Sequence, residues 1–133
     1  MKIVSDTNTF IAVALGEPER ENIIAATHSA ELIAPEILPY EIGNALSSLF
    51  RRGLLSSSQM QAAWTATQQI PTENRPIDIR KALEIAAHHR IFAYDAYFLE
   101  CALETRSPLL TLDRKMIAVA EQLKIELINI GDS

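Results

Sequence analysis

The sequence predicts an α/β fold: a mainly parallel central sheet flanked by helices, with a helical hairpin inserted. Three observations carry this. Short apolar runs of strand length recur at residues 2–5, 31–34, 109–112 and 125–130. Segments of helical length and period separate them, and strands joined through helices pair in parallel. Between residues 38 and 69 the alternation gives way to two consecutive helical segments, which read as a hairpin.

Taken in order, residues 2–5 form the first strand. Residues 8–15 form a short helix, stopped by Gly16. A helix over 19–28 leads to a strand over 31–34. Pro39 suits the first turn of a helix running to Arg52, with Gly53 as its stop. The serine run 56–58 caps a helix over 59–69. Asp78 caps a helix over 79–90, and another helix spans 93–105. A strand over 109–112, a helix over 114–123 and a last strand over 125–130 complete the chain.

The 133 residues suit one domain, read as a single unit over 1–133. No repeat, linker or low-complexity stretch interrupts them. Hydrophobic residues make up 48% and charged residues 22%, ordinary values for a globular protein. No segment is long and apolar enough to span a bilayer, and the N-terminus does not read as a signal peptide. A cytoplasmic protein is therefore expected. The single cysteine, Cys101, lies among Leu99, Ala102 and Leu103 and reads as a packing residue.

The net charge of −5 argues at first against a nucleic-acid partner. If four acids hold divalent cations, the balance rises by four, to −1. Eight of the twelve basic residues are arginine, the better phosphate-binding side chain. Composition thus neither excludes nor indicates RNA.

Four acids stand out. Asp6 follows the first strand and Asp113 follows the apolar run 109–112. Sites in open parallel sheets lie outside the carboxyl ends of the strands, so these two can be neighbours. Taken singly, each also reads as an ordinary helix cap. On the helix starting near Pro39, Glu41, Asn44, Ser48 and Arg52 form a polar row beside the apolar stripe Ile42, Ala45, Leu46, Leu49 and Phe50. That row reads either as one wall of a cleft or as a solvated face with an acid in its first turn.

Asp95 carries the strongest signal. It falls within the apolar face of Phe98, Leu99, Ala102 and Leu103, with Glu100 and Glu104 opposite. An ionised acid aimed at a core is costly unless something compensates it. The alternative is that Asp95 is an N-cap, with the helix starting at Ala96. Four carboxylates gathered together must take up protons or bind cations. All-oxygen ligation selects magnesium, or manganese, over zinc. No histidine or cysteine cluster competes: His28 stands alone, and His88 and His89 read as surface residues. There is no Gly-rich phosphate loop and no nucleophile elbow.

Four segments carry a family resemblance: IVSDTNTFIA at the N-terminus, PEILPYEIGNAL around Glu41, FAYDAYFLECAL around Asp95 and PLLTLDRKM around Asp113. In this order and at these spacings the chain resembles the PIN-domain ribonucleases, and among them the VapC-type toxins of toxin–antitoxin pairs. The resemblance implies a PIN fold. It implies a magnesium-dependent endoribonuclease whose acidic positions fall on Asp6, Glu41, Asp95 and Asp113. It places Asn8 and Thr111 as polar supports of the metal site. It also implies a homodimer and a small antitoxin partner. One departure is visible: Glu104-Thr105-Arg106 stands before Ser107-Pro108, where family members commonly carry a glycine, which bears on loop shape.

On this reading Asp6 and Asp95 ligate the ion directly, and Glu41 and Asp113 directly or through water. Arg52, Arg90, Arg114 and Lys115 are candidates for the RNA backbone. A haloacid-dehalogenase-type phosphatase would also begin with a strand and an aspartate. Its chemistry needs a second acid two residues later, where this chain has Asn8. A non-catalytic PIN-like binding module would be expected to have lost an acid, and all four are present.

Overall fold

The structure, a computed structural model, describes residues 1–130; the last three positions of the expected 1–133 unit lie outside the described residues. Three strands in sequence, β1 (Lys2–Ser5), β2 (Glu31–Pro35) and β3 (Thr72–Arg75), are joined by β4 (Leu109–Leu110) in one parallel sheet. The spatial order is β3-β2-β1-β4. Two helices fill each crossover. These are α1 (Thr7–Leu15) and α2 (Arg20–Thr27), α3 (Leu38–Arg51) and α4 (Ser57–Gln68), then α5 (Ile79–His89) and α6 (Ala93–Thr105); α7 (Arg114–Gln122) follows β4.

The central strand shows why the sheet is covered on both sides. Ile3 and Val4 are both fully buried, yet they enter different cores. Successive strand side chains point to opposite faces. Ile3 packs with Ala12, Ile23 and Leu110. Val4 packs with Ile33, Leu109 and the apolar residues of α3, α5, α6 and α7. The β1–β4 pairing sets Val4 beside Leu109 and Ser5 beside Leu110. One residue further on, the Asp6 amide donates to the Leu110 carbonyl at 3.1 Å, so both chains leave the sheet at the same edge.

The local signals act as expected at most helix ends. Gly16 closes α1 with φ 67°, the left-handed conformation glycine adopts readily. Pro39 lies in the first turn of α3. Ser56 caps α4 in a reciprocal capping box with Gln59. Asp78 caps α5 by accepting from the Lys81 amide at 3.1 Å. Arg106 closes α6 with φ 52°, a left-handed residue that is not glycine, in the turn before Ser107 and Pro108.

Several expectations need correction. The strand β3 has the polar sequence TENR and no apolar signal; as the sheet's edge it pairs through its main chain with β2, and Glu73 adds an ion pair with Lys2 of β1. The expected strand over 109–112 is only two residues long, because Thr111 turns out of the sheet to hydrogen-bond with Asp6. The expected last strand over 125–130 reduces to a single parallel bridge between Leu109 and Leu127. Asp95 is not an N-cap: α6 begins at Ala93, and Phe92 is the residue before it. Glu100 does not face solvent; it is 3% exposed, covered where α5 packs on α6. Among the described residues, no helix is long and apolar enough to cross a membrane.

Candidate active site

Asp6, Glu41, Asp95 and Asp113 line one cleft of about 140 Å³, with Thr7, Asn8, Asn44, Ala45, Phe98 and Met116 completing its walls. Larger grooves exist, such as an apolar one of about 440 Å³ between α3 and α4, but the acids converge in this one. Each comes from the start of a different helix. Asp6 is the N-cap of α1 and accepts from the Thr9 amide at 3.3 Å. Asp113 is the N-cap of α7 and accepts through Oδ1 from the Lys115 and Met116 amides, at 2.8 and 3.4 Å. Asp95 and Glu41 sit in the first turns of α6 and α3. Helix N-termini carry partial positive charge, so acids seated at the starts of four helices have part of their mutual repulsion offset.

Capping and gathering are therefore the same arrangement, not rival explanations. Asp6 is 3% exposed, and burial pushes its carboxyl up to about 6. The negative charge of Asp113 adds to the rise, while hydrogen bonds from Thr111 and from the Thr9 and Asn8 amides oppose it. Burial and the nearby Asp95 raise Glu41. Burial and Asp113 raise Asp95, and the Lys115 ammonium partly counters them. Three acids thus each feel another acid of the same cleft.

Among the described residues no three acids, histidines or cysteines stand close enough to grip one ion as placed. The four acids line the walls without meeting at a point. The donor chemistry nonetheless suits a hard divalent cation: every charged group of the cleft is a carboxylate, and the neighbouring polar groups are amides and hydroxyls.

The supporting positions divide. Thr111 is buried and donates its hydroxyl proton to Asp6 Oδ2, while accepting from the Asp113 amide at 3.0 Å. Asn8 lines the cleft but is exposed, and its backbone amide reaches Asp6. Of the polar row on α3, Glu41 and Asn44 reach the cleft; Ser48 and Arg52 do not. Arg114 and Lys115 lie in the first turn of α7 beside Asp113. Arg90 is the left-handed C-cap of α5, outside the lining. Of the remaining lining residues, sequence placed Phe98 only on an apolar helix face and singled out neither Met116 nor Thr7, which lay just before the helix expected over 8–15.

The sequence matches the family model for the PIN domain over residues 3–128. It is 29% identical over 121 residues to Ribonuclease VapC3 of Pyrobaculum aerophilum, covering 87% of this chain and 92% of that protein. The crystal structure of PAE2754 from the same organism superposes with a TM-score of 0.68 at 20% identity, covering 90% of this chain and 87% of that one. VapBC2 of Rickettsia felis, solved bound to a fragment of promoter DNA, gives 0.67 at 14% identity, with 97% and 98% covered. FitAcB of Neisseria gonorrhoeae gives 0.60 at 18% identity, with 96% and 97% covered. The fold, the order of the elements and the span of the family match agree: this chain belongs to the PIN domain family.

Proposed function

We propose that the chain is a divalent-metal-dependent endoribonuclease of the VapC type, the toxin of a toxin–antitoxin pair, and that Asp6, Glu41, Asp95 and Asp113 form its active site. The observation that carries this is the convergence of four acids, from four helix starts, on one cleft in which burial raises the pKa of Asp6, Glu41 and Asp95 and a neighbouring acid adds to each rise. The likeness to Ribonuclease VapC3 supports the RNA-cleaving part of the reading, and the fold shared with VapBC2 supports the antitoxin partner. A homodimer and a cytoplasmic setting belong to the same proposal.

Asp6 and Asp95 would hold a magnesium or manganese ion directly, with Glu41 and Asp113 directly or through water. When bound, the ion neutralises charge on the scissile phosphate and activates water as the nucleophile. The chain's own groups prepare that chemistry. Thr111 fixes the rotamer of Asp6 and ties it to the start of α7. Asp6 holds a proton below about pH 6, so neutral conditions favour the carboxylate. Lys115 places positive charge at the rim, where an RNA phosphate can meet it.

The test is cleavage of RNA by the purified protein with magnesium, with excess EDTA, and with magnesium restored. Activity should be lost and then regained. An Asp95→Asn variant should stay folded and be inactive. Cleavage that persists in excess EDTA would overturn the metal-dependent reading.

A further inference from the structure

Among the described residues, the Thr7 hydroxyl is the one buried side-chain polar atom without a hydrogen-bond partner. Thr7 is the first residue of α1, follows Asp6 directly and lines the cleft. The other hydroxyls around Asp6 are all engaged. Ser5 bonds with Thr9, Thr9 donates to the Asp6 carbonyl at 2.7 Å, and Thr111 donates to the Asp6 carboxylate. A buried hydroxyl left unpaired costs stability, and native structures keep few of them. Valine has the same shape and would carry no such cost at this position.

The cleft supplies the reason for a hydroxyl here. Magnesium keeps several of its waters when protein carboxylates bind it. Waters held by a cation are stronger donors than bulk water, and their protons need acceptors fixed around the ion. A hydroxyl offers two acceptor lone pairs without adding charge to a cleft that already holds four acids. We propose that Thr7 is a positioning residue whose hydroxyl accepts a hydrogen bond from a water in the hydration shell of the cation. This inference rests on the metal-site reading above.

Calorimetric titration with manganese, on wild type and on the Thr7→Val, Thr7→Ser and Asp95→Asn variants, tests it. Thr7→Val should bind manganese about tenfold more weakly. Thr7→Ser, which keeps the hydroxyl, should bind within about twofold of wild type. In excess chelator the Tm of Thr7→Val should equal or exceed that of wild type, which a merely structural hydroxyl would not allow. Unchanged manganese affinity in Thr7→Val overturns the inference. So does a rise in KM for RNA alone, which would assign the hydroxyl to the phosphate. Equal weakening in Thr7→Ser also overturns it. If Asp95→Asn still loses manganese binding in any of these cases, the metal-site reading survives. Absence of manganese binding in wild type would overturn both.

Discussion

Thr111 and Asp6, 105 positions apart, are hydrogen-bonded at the buried end of the cleft, the Thr111 hydroxyl donating to Asp6 Oδ2. The same hydroxyl accepts from the Asp113 amide, so one side chain joins the acids at the ends of β1 and β4. Its bond favours the ionised form of Asp6 and opposes the rise that burial causes. Thr111→Val should therefore push Asp6 above about 6 and move the acid limb of the cleavage pH profile upward. Activity should fall more at about pH 6 than at about pH 8, and Thr111→Ser should restore the profile. A uniform loss at every pH would mean that Thr111 acts only on structure.

Asp6 also makes stability depend on pH. Its native pKa of about 6 lies above the ordinary 3.8. Between these values the native carboxyl keeps a proton that the unfolded chain has released. Stability therefore falls as pH rises through that window and stays lower above it. The gap corresponds to an upper figure on the order of 3 kcal/mol at neutral pH. Asp6→Asn, measured in excess chelator, should have a higher Tm than wild type at pH 7 and a flatter pH dependence between about 4 and 6. It should also lose RNA cleavage. A lower Tm at pH 7 would show that the hydrogen bonds Asp6 accepts outweigh its desolvation.

How far the site was legible depended on what each acid does locally. Asp95 was visible because it interrupts an apolar stripe, and the structure sets it, half-buried, in the cleft wall. Asp6 and Asp113 were legible as caps, and they are caps; only the parallel sheet makes them neighbours. Thr7 gave no signal, since a threonine in a first helical turn is unremarkable until its surroundings are known. The edge strand β3 was invisible for a related reason: main-chain pairing and one ion pair to Lys2 hold it, and neither leaves an apolar pattern. Glu100 misled, because helical period finds one apolar face, and a helix packed on two sides also buries residues off that face.

Burial, above all, raises the pKa of Glu100, with Glu104 and Asp78 adding to the rise and a backbone hydrogen bond at Asp78 opposing it. An acid raised in the native state is stabilising while protonated and becomes costly as it ionises. Glu100→Gln should gain Tm relative to wild type as pH rises through the range where Glu100 titrates. Cleavage should be unchanged, because Glu100 lies outside the four-acid cleft. Equal pH dependence of the two Tm curves would mean that Glu100 stays ionised without cost.

The four basic candidates separate by position. Arg114 and Lys115 occupy the first turn of α7, at the positive end of a helix, where stability alone disfavours cations. Lys115 sits close enough to lower the pKa of Asp95. Arg52 caps the far end of α3, about 16 Å along the helix from Glu41 at ~1.5 Å per residue. Lys115→Ala should raise KM for RNA several-fold and reduce the salt slope of binding by about one. It should also shift the acid limb of activity upward, because Asp95 loses the charge that holds its pKa down. Arg52→Ala should change neither quantity. If the Arg52 variant matched the Lys115 variant in KM and salt slope, the RNA path would run along α3 instead of across the start of α7.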